Sequence, residues 1–275
     1  MKIAYQGISG SYSESCAKKN YPGCKTISCK TFDECFELAS SDSQIKTIIP
    51  ESNKTTGNIG IEYLIFKFRL NIYAEHFFKI SHNLLGVKGC KLGDIKDVYS
   101  HAQALSQSSI FIAKNNLTGQ VRADTAGSAK YVSENCDKTK AAIASSLSAE
   151  IYNLEIIKKD IQDNKENFTR FLLMGKDILQ PENDNKSYIT SFLFKLKSKP
   201  AALYSSLQGM AINGVNMIKL QSFPEKNSFS SYFFLCEVEG HLNQQKIKNS
   251  LEDLNYHCED MSVLGVFEAD KLRKK

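Results

Sequence analysis

The sequence predicts an α/β protein of two domains, a two-lobed domain around a central cleft followed by a small ferredoxin-like βαββαβ domain. Three observations predict it. The chain has 275 residues, which is more than one average domain needs. Strand and helix signals alternate along residues 2–152, a pattern typical of a parallel α/β sheet. After a polar segment at 180–186, the order of these signals changes.

The first α/β block covers residues 2–50. A turn with two glycines follows the first strand, and Ser11 followed by Glu14 is typical of a capping box that begins a helix. The Pro22-Gly23 pair ends that helix, because proline cannot continue it. The predicted strands of this block are 2–6, 24–29 and 45–49, and the predicted helices are 11–21 and 31–40.

Two extended segments at 75–89 separate this block from a second one, so the chain should form two lobes that face each other across a cleft. The chain is expected to cross between the lobes near 70–80 and 160–170. Ligands bind outside the carboxyl ends of the strands in such sheets. In the second block, strands are predicted at 98–99, 119–122 and 140–144, with helices at 101–114, 125–135 and 145–152.

The C-terminal part of the chain follows a different order. The segment 180–186 is a linker with few apolar residues to bury. Beyond it, strands are predicted at 191–196, 214–221, 232–237 and 258–265, and helices at 200–212 and 244–254. This order, βαββαβ, is the ferredoxin-like unit. We therefore predict one domain at 1–179 and a second at 187–268.

Composition favours a cytoplasmic protein without a membrane segment. Hydrophobic residues make up 42% and charged residues 24% of the chain, which is ordinary for a globular protein. No apolar run approaches the roughly 18 to 20 residues that span a bilayer. The first residues lack the apolar core and cleavage site of a signal peptide and instead resemble a strand entering a turn.

Charge and cysteine spacing argue against nucleic-acid and metal binding. The net charge of +5 comes from lysines spread along the chain, whereas a nucleic-acid interface needs a concentrated basic face. The eight cysteines contain no C-x-x-C pair, so neither a zinc site nor a disulfide framework is expected.

Three strand-to-helix junctions carry polar residues that suit an anion: Ser11, Ser100 and Asp124. A helix N-terminus offers free N–H groups and a partial positive charge to a carboxylate or phosphate. The same residues also serve as ordinary helix N-caps. The glycine pair before Ser11 lacks the third glycine of a dinucleotide fingerprint and the lysine of a P-loop.

A second polar segment is Asn167-Phe168-Thr169-Arg170-Phe171. Arg170 could hold a carboxylate with two parallel hydrogen bonds, and Thr169 could donate a hydroxyl proton. The same residues also fit a plain turn that enters a strand. From the residues alone we therefore predict a cleft for a small anion, without a reaction.

Taken together, these segments resemble the prephenate dehydratase family, and they occur in the family's order over nearly the whole chain. The segment at 167–171 resembles the family's most diagnostic element, whose threonine is regarded as catalytic. The other matching segments are 5–13, 100–107, 124–127 and 141–145. The βαββαβ unit resembles the ACT domain that follows in the family. The resemblance implies a two-lobed, periplasmic-binding-protein-like catalytic domain.

The resemblance also implies an activity. The family dehydrates and decarboxylates prephenate to phenylpyruvate, a step of phenylalanine biosynthesis that uses no cofactor. A proton must reach the hydroxyl that leaves, which a positioned acid promotes by ~10² to 10⁴-fold. The implied catalytic residues are Thr169, Arg170, Asn53 and Gln107, and the implied substrate contacts are Ser11, Ser100, Thr125 and Phe171.

One departure from the family lies in the catalytic domain. Ser52 stands where the family has a glutamate, and Glu51 comes one position early. A slip of one residue in an extended segment points a side chain to the opposite face. We therefore expect either a local compensation or a reduced rate.

The ACT domain departs further from its family, which binds phenylalanine there. Ala201 stands at a family glycine, and Gln221 and Phe223 replace two charged residues. We therefore expect L-phenylalanine to be a weak effector. The residues that match the family's effector site are Ala202, Leu203, Asn216, Gln221 and Ser222.

Two alternatives stay open at this point. Arogenate differs from prephenate only in an amino group in place of the keto group, so an arogenate dehydratase fits equally. A weakly active regulatory or binding protein on the same scaffold is the other alternative. Paired ACT domains predict a homodimer or homotetramer.

Overall fold

The structure is a computed structural model that describes residues 1–184, 186–225, 228 and 231–274. Its strands are β1 Lys2–Gln6, β2 Lys25–Cys29, β3 Ile45–Asn53, β4 Gly57–Asn58, β5 Asn71–Lys79, β6 Asn83–Gly86, β7 Asp97–Ser100, β8 Thr118–Val121, β9 Lys140–Ala144, β10 Glu155–Lys158, β11 Phe168–Gly175, β12 Tyr188–Leu196, β13 Met217–Pro224, β14 Tyr232–Glu239 and β15 Cys258–Glu268.

The helices are α1 Tyr12–Asn20, α2 Phe32–Ser41, α3 Glu62–Phe68, α4 Ala102–Ser106, α5 Ser109–Lys114, α6 Thr125–Asn135, α7 Ser146–Ile151, α8 Ala202–Ile212 and α9 Gln245–Tyr256. Short 3-10 helices lie at Leu92–Asp94 and Lys271–Lys274. Over the described ranges, no helix combines the length and apolar character needed to cross a membrane.

The chain divides into two compact units. Unit 1 comprises residues 1–35, 48–59 and 76–171, and unit 2 comprises residues 36–47, 60–75 and 172–275. A six-stranded sheet has the order β2-β1-β3-β11-β5, with β4 paired to β3. Strands β1 and β2 run parallel and belong to unit 1.

Unit 1 also contains a five-stranded mixed sheet of order β10-β6-β9-β7-β8. Strand β7 is parallel to both β8 and β9. Alternate residues of this sheet enter two different cores: Leu84 and Ile143 lie in one, whereas Leu85 and Ala142 lie in the other. Both faces are therefore covered, as βα connections require.

Unit 2 carries a four-stranded antiparallel sheet of order β13-β14-β12-β15. Phe192 and Phe194 of β12 and Val238 of β14 pack with Ile247 and Leu254 of α9. The element order is β12-α8-β13-β14-α9-β15. This confirms the predicted α/β class and the ferredoxin-like C-terminal unit.

Some local predictions were wrong. The helix predicted at 101–114 is two helices, α4 and α5, because Gln107 caps the first and Ser108 leaves helical geometry at φ −123°. The side chain of Ser108 is fully buried at this break. Helix α3 and strand β10 were not predicted. Their short lengths, seven and four residues, give little periodicity to detect.

Candidate active site

A cavity of about 640 Å³ lies within unit 1. Its lining includes the residues that directly follow β1, β2 and β7, and Ala123, which lies two positions beyond β8. The carboxyl ends of parallel strands therefore form the cavity, the usual position of a ligand site in an α/β sheet. The turn at residues 7–10 forms part of this wall.

Gly10 positions that turn. Its φ is +94°, and a Cβ there would lie 2.6 Å from Ser148 Oγ and 3.0 Å from Ser148 Cα. Its carbonyl oxygen accepts hydrogen bonds from Ser145 Oγ at 2.5 Å and Ser148 Oγ at 2.9 Å. Only glycine combines this positive φ with so close an approach. The turn is thereby joined to the start of α7.

A chain of buried polar side chains crosses the cavity wall. Asn53 Nδ2 donates to Asn167 Oδ1 and to Thr169 Oγ1, both at 2.9 Å. Asn167 Nδ2 donates to Gln107 Oε1 at 3.0 Å. Asn53, Asn167 and Thr169 are 7%, 1% and 6% exposed. These contacts join residues that are 60 to 116 positions apart in the sequence.

Backbone N–H groups determine which atom donates and which accepts in these side-chain hydrogen bonds. The N–H groups of Thr55 and Thr56 donate to Asn53 Oδ1 at 2.9 and 3.1 Å. An N–H group can only donate, so the Asn53 amide must present Nδ2 to Thr169 and Asn167. Thr169 Oγ1 therefore acts as an acceptor toward Asn53. Its own proton remains available to a ligand in the cavity.

His82 is a cavity residue that the sequence analysis did not identify. It lies between β5 and β6 and is 3% exposed. Its Nδ1 is 2.7 Å from Tyr12 Oη, and its Nε2 is 2.9 Å from Gln107 Oε1. Burial lowers the pKa of the imidazole. The only sequence signal was a histidine at the predicted crossing, which by itself is weak.

Arg170 lies beside the cavity wall but not in its lining. It is 5% exposed, and its Nη1 lies 3.3 Å from Glu51 Oε2. Ser52 Oγ donates to the same carboxylate oxygen at 2.7 Å. Neither Glu51 nor Ser52 is among the lining residues. In this chain the early glutamate therefore forms a buried ion pair with the predicted carboxylate clamp.

The structure brings most of the predicted site residues together. Ser100 is an exception: it is fully buried, and its hydroxyl donates to the carbonyl oxygen of Ile143 at 2.6 Å. It also does not cap α4, because His101 Nδ1 accepts from Gln103 N instead. With Arg170, it stands outside the lining. The predicted residues that line the cavity are Ser11, Asn53, Gln107, Thr125, Thr169 and Phe171.

Charge around the cavity is mixed. Helices α1 and α6 begin at its edge, with Ser11 Oγ accepting from Glu14 N at 3.3 Å and Asp124 Oδ1 accepting from Gly127 N at 2.6 Å. Their N-termini attract an anion. Lys30 also belongs to the lining, and among the described lining residues Asp124 is the one carboxylate. The cavity thus suits a small molecule that carries negative groups.

The residues predicted to bind an effector lie in unit 2. Ala202 lines a second cavity of about 270 Å³ with Lys197, Lys199 and Ser205. Leu203 packs against the core of unit 2, and Asn216 Nδ2 donates to Glu239 Oε2 at 2.8 Å. Gln221 and Ser222 lie on β13 and are absent from that cavity's described lining. The structure thus does not place these five residues around one cavity.

A family model described as prephenate dehydratase matches residues 3–178. The chain belongs to the prephenate dehydratase family. Arogenate dehydratase 2 of Petunia hybrida is 34% identical over 98% of this chain and 72% of its own length. The bifunctional N-acyl-homoserine lactone acylase/prephenate dehydratase of Komagataeibacter europaeus is 33% identical over 99% of this chain and 98% of its own length.

Solved structures share the fold of this chain. A structure described as a novel type of quorum quenching acylase has a TM-score of 0.93 and 33% identity, and covers 99% of this chain and 100% of its own. Prephenate dehydratase from Arthrobacter aurescens, in complex with L-Phe, has a TM-score of 0.86 at 24% identity and covers 98% and 90%. The latter comparison supports the two-lobed α/β fold.

Proposed function

We propose that this chain converts prephenate to phenylpyruvate, carbon dioxide and water, as a lyase of phenylalanine biosynthesis that needs no cofactor. The observation that carries the proposal is the hydrogen bond from Asn53 Nδ2 to Thr169 Oγ1. It leaves the Thr169 proton available at the cavity. A proton donor at this position is what the departure of the substrate hydroxyl requires.

The reaction breaks two bonds of the substrate and consumes one proton. The bond between the ring and its carboxylate breaks, its electron pair enters the ring, and carbon dioxide leaves. The carbon–oxygen bond of the ring hydroxyl breaks at the opposite end, and this oxygen takes one proton to leave as water. Thr169 supplies or relays that proton. Because an alkyl alcohol is a weak acid, the Asn53 donor assists by stabilising negative charge on Oγ1.

The substrate carboxylates require cationic or N–H partners. Ser11 and Thr125 lie at the N-termini of α1 and α6, and both line the cavity. We place the carboxylates there and at Lys30, with the ring against Phe171. Arg170, which follows Thr169 on β11, supports the strand through its buried pair with Glu51. In this assignment Ser100 supports β7 rather than the substrate.

The purified protein tests this proposal directly when it is given prephenate near pH 8 and phenylpyruvate is measured. Thr169→Val should lower kcat by about 100-fold or more, the usual value of a positioned acid. The protein should stay folded, with a melting temperature lowered by a few degrees, because the Asn53 amide loses one acceptor but keeps Asn167 Oδ1. Thr169→Ser keeps the hydroxyl and serves as the matched control. A Val variant that retains over a tenth of the wild-type rate would refute the role of Thr169.

Arogenate is the second candidate substrate, and Asp124 is the observation that favours it. A carboxylate in the cavity lining can pair with the ammonium group that arogenate has and prephenate lacks. Asp124→Asn keeps the helix cap but removes the charge. If arogenate is used, this variant should lose kcat/KM for arogenate selectively, with phenylalanine as the measured product. An equal effect on both substrates would exclude the ammonium contact.

We further propose that residues 187–268 form an ACT domain and residues 1–179 the catalytic domain. The βαββαβ order and the antiparallel sheet of unit 2 support this assignment. L-Phenylalanine is then the expected effector, with weak binding, and the assembly is a homodimer or homotetramer in the cytoplasm. Sedimentation analysis with and without phenylalanine tests the assembly.

A further inference from the structure

Gln107 has an unusual hydrogen-bonding state. Its Oε1 accepts from Asn167 Nδ2 and contacts His82 Nε2, whereas its Nε2 is buried and has no protein partner. The side chain lines the cavity. A buried donor without a partner is costly, so such groups commonly await a ligand. Rotating the amide would instead set Nε2 against Asn167 Nδ2, which is itself a donor.

The order of donors and acceptors along these hydrogen-bonded side chains determines the tautomer of His82. The N–H groups of Thr55 and Thr56 orient Asn53, Asn53 orients Asn167, and Asn167 orients Gln107. Gln107 therefore presents an oxygen to His82 Nε2, so this nitrogen must carry a proton. In the neutral ring, Nδ1 is then unprotonated. The single proton of the Tyr12 hydroxyl lies between this nitrogen, at 2.7 Å, and the carbonyl oxygen of Ser81, at 2.9 Å.

The position of His82 is itself well determined. Its backbone N–H donates to Gln162 Oε1 at 2.9 Å, and its carbonyl oxygen accepts from Ile161 N at 2.8 Å. The ring meets Tyr12 edge-on, with ring centroids 5.6 Å apart. Tyr12 is the titratable group in contact with the ring, and Asp160 acts on Tyr12 electrostatically.

We propose that His82 is a positioning residue for the dehydration. Through its Nε2–H it holds Gln107 Oε1, and thereby directs the Gln107 amide nitrogen into the cavity, where it donates to a substrate oxygen. The inference rests on the proposed function, because the oxygen belongs to that substrate. It does not make His82 a proton donor to the substrate: its two ring nitrogens are both engaged by protein groups.

A pair of substitutions separates positioning from acid–base catalysis. Glutamine places an N–H close to the position of a histidine Nε2, so His82→Gln should keep kcat/KM within about fivefold of the wild type, with an unchanged pH profile. His82→Leu removes the donor and should lower kcat/KM by about 10- to 100-fold, the range for one hydrogen bond to a polar or charged group. A Gln variant as impaired as the Leu variant would overturn the proposal.

A double-mutant cycle tests whether His82 acts through Gln107. The loss caused by His82→Leu should shrink to less than about threefold in a Gln107→Leu background, because no amide remains to be oriented. Losses that multiply in the double variant would indicate a merely structural role and would refute the proposal. Melting temperatures of all variants identify any that fail to fold, in which case the Gln variant and the spectrum below decide.

NMR spectroscopy determines the tautomer of His82 and does not require an active enzyme. Ring ¹⁵N shifts at neutral pH should show a protonated Nε2 and an unprotonated Nδ1 for the histidine whose signals vanish in His82→Gln. A protonated Nδ1 with a bare Nε2 would overturn the inference. If the wild type turned over neither prephenate nor arogenate, the proposed function would fail, while this spectrum would still accept or reject the assigned tautomer.

Discussion

At the scale of single residues, Ala201 has a backbone conformation that its side chain disfavours. It precedes α8 in the left-handed region, with φ +59° and ψ 18°, and has no side-chain cap. A residue with a Cβ pays about 1–2 kcal/mol there, whereas glycine adopts this conformation readily. Alanine rather than glycine at this position therefore has a cost in stability.

Ala201→Gly should accordingly raise the free energy of unfolding by about 1 kcal/mol. The matched control is Ala211→Gly, which lies within α8 and should lower it by about 0.5–1 kcal/mol, because glycine destabilises a helix. Urea denaturation of both variants measures the difference. Equal destabilisation by the two substitutions would contradict the strain at Ala201.

His82 leads to a prediction about pH. Burial lowers the pKa of its ring, so the unfolded chain binds a proton more readily than the folded one. The folded state therefore loses stability as the pH falls through the unfolded value of about 6.5, and is unaffected above it. His82→Gln should make the free energy of unfolding depend less on pH between about 7 and 5. Parallel curves for the two proteins in urea titrations would contradict this.

At the scale of secondary-structure elements, a buried ion pair joins β3 to β11. Glu51 and Arg170 are 3% and 5% exposed, and a buried charge that loses its partner costs about 3–5 kcal/mol. Arg170→Met should therefore destabilise the protein by about that amount. Adding Glu51→Gln should restore part of the loss. If Arg170→Met instead lowers the free energy of unfolding by less than about 1 kcal/mol and raises KM, Arg170 binds the substrate.

The break between α4 and α5 places Gln107 at the cavity. A continuous helix over 101–114 fits the apolar spacing of the sequence. The buried Ser108 and the capping position of Gln107 interrupt it. As a result, Gln107 meets Asn167 and His82. Helical periodicity describes only one face of a helix and contains no information about these partners.

At the scale of the whole molecule, the question is whether phenylalanine bound in unit 2 would inhibit the enzyme. Phe223, which the resemblance to the ACT domain sets at a charged position, is 8% exposed and lies beside Phe66 and Phe233 in unit 2. Its side chain contributes to packing and offers no hydrogen bond to a ligand. Loss of one charge-assisted hydrogen bond costs roughly 1.5 to 3 kcal/mol, or about ten- to a hundredfold in affinity.

Isothermal titration should therefore show weak or no binding of L-phenylalanine, with little inhibition in a parallel assay. Ala201→Gly alone should not restore tight binding, because Phe223 would remain in the core. Tight binding by the wild type, with strong inhibition, would contradict the expectation. Asn216 and Ser222 would then be the residues to substitute next.

The sequence by itself determined most of the alternation of strands and helices and the ferredoxin-like C-terminal unit, and it singled out the segment 167–171 with Thr169. Helix α3, strand β10 and the break within 101–114 were missed. The features that it determined follow from periodicity, turn residues and short motifs, which act over a few neighbouring positions. Only the tertiary structure decided which polar groups meet. It joined Asn53 to Thr169 and His82 to Gln107, paired Arg170 with Glu51, and buried Ser100 outside the cavity lining. The physical reason is that such contacts depend on strand pairing and loop closure between residues far apart in the chain, and no local propensity encodes them.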